Sequence, residues 1–101
     1  MGMDLKGRSP MNDEGKTFTV SLIRWRSILE TMENCHAQDI LGETDWKALH
    51  CNDGAGPSRQ EVCEKLATGI EQSIEDVPES DSEHARNFIR FLRNCGGFRV
   101  W

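Results

Sequence analysis

Apolar residues recur along this chain with two different periods. Leu22, Trp25, Ile28, Leu29, Met32 and Cys35 fall three and four positions apart, the spacing that lines one face of an α-helix, and they predict a helix over 22–35. Ser21 stands where its hydroxyl accepts from the free amides of the first turn. Val62, Cys63, Leu66, Ala67, Ile70 and Ile74 repeat the period and predict a second helix over 59–75, opened by a Ser58-x-x-Glu61 capping box and stopped at Val77-Pro78. Ala85, Phe88, Ile89, Leu92 and Cys95 form the stripe of a third helix. Ser80 and Glu83 stand at its start, and Gly96-Gly97 follows as a left-handed cap.

Elsewhere the period falls to two. Residues 3–6 and 98–101 alternate apolar with charged positions and predict a strand at each end of the chain. Phe18-Thr19-Val20 alternates with β-branched residues before the first helix begins. Trp46 to Cys51 reads as a further short strand, ended by the turn-forming Asn52-Asp53-Gly54-Ala55-Gly56-Pro57. Residues 37–48 are only weakly periodic, and Gly42 among Asp39, Thr44 and Asp45 suggests a turn or a short helical piece. Isolated strands cannot satisfy their backbone, so the terminal strands are expected to pair with each other or with 46–51. The expectation is an α+β fold, with three helices on a two- or three-stranded sheet formed by the chain termini and a central strand.

Length sharpens this picture: 101 residues suit one domain spanning 1–101 with one core. At 37% hydrophobic and 29% charged residues the core is thin, which points toward a homodimer. No run of 18 apolar residues exists to span a bilayer, and Met1-Gly2-Met3-Asp4 lacks the apolar stretch of an export signal. Lys6 stands where a myristoylation motif needs Ser or Thr. A cytoplasmic protein without membrane attachment is expected. Cys35, Cys51, Cys63 and Cys95 are then free thiols. The mirrored pairs Cys35-His36 and His50-Cys51 make a poor metal site, because adjacent side chains diverge and no C-x-x-C knuckle is present.

The formal charge of −5 opposes general nucleic-acid binding, but its distribution is uneven. Glu71, Glu75, Asp76, Glu79, Asp81 and Glu83 form a run without a base, and Arg86, Arg90, Arg93 and Arg99 follow without an acid. Arg86, Arg90 and Arg93 share one stripe of the third helix. They suit a partner's carboxylates or phosphates, or a solvated face paired with the acids. The loop from His50 to Ser58 leads into a helix N-terminus and offers turn amides and polar side chains, which suits an anionic or polar ligand. It is not a P-loop, since the lysine and the spacing are absent, and Asp53 itself repels phosphate. No nucleophile is placed beside a base by any recognised spacing, so no catalytic residue and no cofactor is expected. Trp25 reads as core. Trp101, at the chain end, either packs under a helix, the commoner outcome, or stacks on a ligand.

Met1-Gly2-Met3-Asp4 with Gly7 and Pro10, Glu14-Gly15 and Phe18, Arg24-Trp25, His50 with Asn52-Asp53-Gly54, and Phe88 to Arg93 with Gly96-Gly97-Phe98-Arg99 span the chain. In these motifs it resembles a family of short uncharacterised bacterial and phage proteins with an MGMD-x-x-G-x-x-P start, a central H-x-N-D-G and a late GGF. It departs from them after Phe18, where Thr19-Val20-Ser21-Leu22-Ile23 replaces an asparagine- and tryptophan-rich stretch. The resemblance implies a small non-catalytic phage-type binding protein, a host-defence antagonist that sequesters a nucleotide-like ligand or blocks a host protein. The ligand residues are expected to be His50, Asn52, Asp53, Gly54, Arg99 and Trp101, and the matching polar residues Asp4, His50, Asn52, Asp53 and Arg99 are expected to converge on one sheet edge. The rival readings are an acidic, nucleic-acid-mimicking inhibitor of a nuclease complex, similar to an anti-CRISPR protein, and a small metal-dependent enzyme.

Overall fold

Strict alternation builds the sheet. The computed structural model describes residues 2–51, 53–74 and 79–101, the last segment with side chains from residue 82 onward. β1 (Gly2–Gly7) lies between β2 (Thr17–Ser21) and β3 (Phe98–Val100), antiparallel to both, in the order β2-β1-β3. Leu5 pairs with Phe18 on one side and Val100 on the other, and Met3 pairs with Val20. Met3, Leu5, Phe18, Val20, Phe98 and Val100 therefore share the buried face. Asp4, Lys6, Thr17, Thr19 and Arg99 occupy the other face, which no helix covers and which is exposed.

The fold is α+β, as expected from the sequence, and the chain termini do pair. The central strand differs. It is Thr17–Ser21, while residues 46–51, expected as a strand, begin inside a helix, α3 (Glu43–Ala48), and continue into a turn. The apolar positions of this stretch suit either structure locally; tertiary packing selects the helix. Gly42, at φ 87°, breaks the backbone between α2 (Ala37–Leu41) and α3, and the resulting corner buries Leu41, Ala48 and Leu49. With α1 (Leu22–Asn34), α4 (Gln60–Ser73) and α5 (Glu79–Asn94) there are five α-helices among the described residues, where three were expected.

α1 starts as its sequence indicates, with the Ser21 hydroxyl accepting from the Arg24 amide at 3.3 Å. α4 does not. Its N-cap is Arg59 without a side-chain cap, so Ser58 does not close the expected box. Residues 54–57 run beside β3, with Phe98 N–H donating to the Pro57 carbonyl at 2.8 Å, and this holds Ser58 outside the helix. Gln60 ties the helix start instead, donating to the Leu92 carbonyl at 3.0 Å and accepting from the Gly96 amide at 2.6 Å. Gly96 and Gly97, at φ 67° and 88°, make the expected left-handed exit from α5. The Val77-Pro78 stop lies outside the described residues, as do the side chains at Ser80 and its neighbours.

The helices cover the inner sheet face with an aromatic core. Phe88 meets Phe18 at 5.2 Å and Trp25 edge-on at 5.4 Å, and Phe91 meets Phe98 at 5.7 Å. The indole N–H of Trp25 donates to the buried Leu49 carbonyl at 3.0 Å, so its one polar atom is satisfied. Among the described residues no helix is long and apolar enough to cross a membrane.

Candidate functional site: a basic cleft on the open sheet face

β3 is three residues long, yet it is held along both edges. Gly54 N–H donates to the Val100 carbonyl at 2.7 Å and Val100 N–H to the Ala55 carbonyl at 2.9 Å. On the β1 side, Trp101 N–H donates to the Asp4 carbonyl at 2.7 Å and Arg8 N–H to the Gly97 carbonyl at 2.8 Å. The end of the chain is thereby fixed as a strand, and its two outward side chains, Arg99 and Trp101, take defined positions.

The register sets Arg99 directly opposite Lys6. Like charges in a cross-strand pair oppose sheet formation. A third cation joins them. Arg8 is held by its Nε on the Phe98 carbonyl at 3.3 Å and by Nη2 on the Gly56 carbonyl at 3.0 Å. Lys6, Gly7, Arg8, Arg99 and Trp101 together line a cleft of about 430 Å3, and none of these residues has an acidic side chain. Asp4 shares the same sheet face, but its Oδ1 accepts from the Thr19 hydroxyl at 3.0 Å, on the β2 side.

Trp101 is not packed under a helix, the commoner outcome for a terminal tryptophan; it is 46% exposed. Its ring rests on Gly54, whose φ is 85° and whose missing Cβ would lie 2.5 Å from the indole Cη2. The 53–56 segment therefore acts as a shelf that sets the ring's height, and its Gly56 carbonyl anchors Arg8.

Of the residues singled out from the sequence, Gly54, Arg99 and Trp101 come together here, with Asp53 exposed on the adjoining turn. His50 does not join them. Its Nδ1 lies 2.9 Å from the Trp46 carbonyl, its ring meets Trp46 edge-on at 4.8 Å, and it lines a different groove with Met3, Trp25 and Leu29. Asn52 lies outside the described residues. Lys6 and Arg8 were missed by the sequence reading, although Lys6-x-Arg8 at the end of a terminal strand was the signal available for them.

The arginine stripe divides. Arg93 is engaged inside the protein, with Nη1 on Glu64 at 2.8 Å and Nη2 on Glu71 at 2.9 Å, and the Glu71 contact in particular raises its pKa. Arg90 donates to the Asn87 side chain at 3.0 Å, and Arg86 and Glu83 are exposed. Glu71 thus pairs with an arginine of its own chain; Glu75 and Asp76, and the side chains of Glu79 and Asp81, lie outside the described residues. All four cysteines are unpaired thiols, with Cys63 and Cys95 buried. No cluster of three or more metal-ligating side chains occurs among the described residues. No protein-family model, no curated protein and no solved structure matches the chain.

Proposed function

We propose that this is a non-catalytic binding protein whose β1–β3 cleft takes a small phosphate-bearing aromatic ligand of the nucleotide type. One observation carries the reading: Lys6 and Arg99 face each other across the open sheet, with Arg8 beside them and no acidic side chain in the lining. A fold that tolerates this repulsion gains from any bound anion, because the same three charges then attract it. Trp101 supplies a flat apolar surface against which a base stacks, a contact worth about 1–3 kcal/mol in nucleic-acid complexes. The resemblance adds the biological frame, a phage-borne protein that withholds such a ligand from a host defence system.

Calorimetric titration with a panel of nucleotides tests this directly. Binding is expected, with affinity falling as salt is raised and dropping about tenfold or more in Arg99→Ala and in Lys6→Ala. Both side chains are exposed and their mutual repulsion is relieved, so the variants should melt no lower than the parent. Absence of heat with every phosphate-bearing compound, at any salt concentration, sinks the proposal.

A further inference from the structure

Register fixes the order of the residues that face outward along β1 and β3. Trp101 N–H donates to the Asp4 carbonyl and Arg8 N–H to that of Gly97, so Asp4 stands across from Trp101, Lys6 from Arg99 and Arg8 from Gly97. Successive pairs are two strand residues apart, about 7 Å. The indole and an acid thus occupy one end of this face, two cations its middle and a third cation the other end.

Arg8 is held at that end by local structure. Gly97 across from it offers no side chain, and the arginine reaches over β3 to the Phe98 and Gly56 carbonyls. Those bonds position its guanidinium before any ligand arrives, and they take two of its five N–H donors, leaving three. Residues 54–56 support both ends of the row, since the indole rests on Gly54 and Arg8 is bound to Gly56. None of the ion pairs among the described residues involves Lys6, Arg8 or Arg99.

We infer that the cleft takes a nucleoside diphosphate, with its base on Trp101, its first phosphate between Lys6 and Arg99 and its second on Arg8. This rests on the nucleotide reading above and adds to it the number of phosphates and the direction in which they run. Asp4 repels a phosphate from the Trp101 end, so the anionic part of the ligand extends toward Arg8. A monophosphate held by Lys6 and Arg99 leaves Arg8 facing no anion, whereas an anhydride link carries the next phosphoryl group on along the row. The lining holds no cation beyond Arg8, which ends the row at two. Arg8 then separates one phosphate from two, through the parallel N–H bonds that a guanidinium gives to phosphate oxygens.

Calorimetric titration with the mono- and diphosphates of adenosine, guanosine, cytidine and uridine, in buffer free of divalent metal, tests this count apart from binding itself. For the base that binds, the diphosphate is expected to be about tenfold tighter than the monophosphate, or more. Arg8→Gln should bring that ratio close to one. Lys6→Ala should weaken both ligands and keep the ratio, because it touches the phosphate they share. Inorganic pyrophosphate has both phosphoryl groups and no base, and should bind more weakly than the nucleoside diphosphate. A ratio near one in the parent overturns the inference and leaves the nucleotide reading standing, as does a ratio that survives Arg8→Gln. Pyrophosphate that binds as tightly as the diphosphate removes the base from the ligand and overturns both, and so does silence with every compound.

Discussion

Trp101 stands on a residue without a side chain, and the height of its ring depends on that absence. Gly54→Ala introduces a Cβ at 2.5 Å from the indole and places alanine at φ 85°, a conformation costing about 1–3 kcal/mol outside glycine. The variant should stay folded, melt several degrees lower, and bind nucleotides more weakly than the parent in the same titration. The thiols divide by burial. The Cys63 thiol is pushed well up from its ordinary value by its hydrogen bond with Cys95 and by burial, and half-buried Cys35 is raised by burial too. Access by the reagent decides the order, since Cys95 is buried even though its hydrogen bond with Cys63 lowers its pKa: native protein treated with an aromatic disulfide reagent should modify the exposed Cys51 first, Cys35 more slowly, and Cys63 and Cys95 only on unfolding. Prompt reaction of all four would contradict the buried placement.

At the level of elements, the segment between β1 and β2 is fastened to the end of α5. Met11 N–H donates to the Asn94 carbonyl at 2.8 Å and Ser9 N–H to that of Cys95 at 3.0 Å, while the Asn12 side chain donates to the Asn94 side chain at 2.9 Å. Gly15 is buried in this joint, and a Cβ there would collide with the Asn94 carbonyl, a backbone atom that cannot swing aside. Gly15→Ala should therefore cost about 3 kcal/mol or more, read as a lowered denaturant midpoint. The same joint steadies the hairpin that carries Lys6 and Arg8. An intact melting curve in Gly15→Ala would mean that the segment moves away at little cost.

Over the whole molecule, net charge and local charge have opposite signs. The chain carries −5, yet three cations meet in one cleft without an acidic side chain in its lining. A small ligand responds to the cleft, whereas a long polyanion also meets the acidic remainder and is repelled by it. Fluorescence anisotropy with a labelled single-stranded oligonucleotide should accordingly show no tighter binding than a mononucleotide at physiological salt. Affinity that climbs steeply with oligonucleotide length would instead make the open sheet face a nucleic-acid platform.

Local signals were sufficient for the three long helices, the Ser21 cap, the glycine exit from α5 and the strand at each chain end, whereas the sequence left open whether those strands pair with each other or with 46–51. Each rests on a periodicity or a backbone preference that neighbouring residues already express. They misjudged residues 46–51, because a short apolar run suits helix and strand alike and only the burial of Leu41, Ala48 and Leu49 at one corner separates the two. The Ser58 box failed for a related reason: residues 54–57 are drawn alongside β3, a contact some forty residues distant in sequence. The candidate site was half legible. Arg99, Trp101 and Gly54 stand out by residue type and position, but the partners of Arg99 follow from strand register. A shift of one residue turns every side chain of a strand to its other face, and only the assembled core, with Leu5 locked between Phe18 and Val100, determines that Lys6 faces Arg99 in the open.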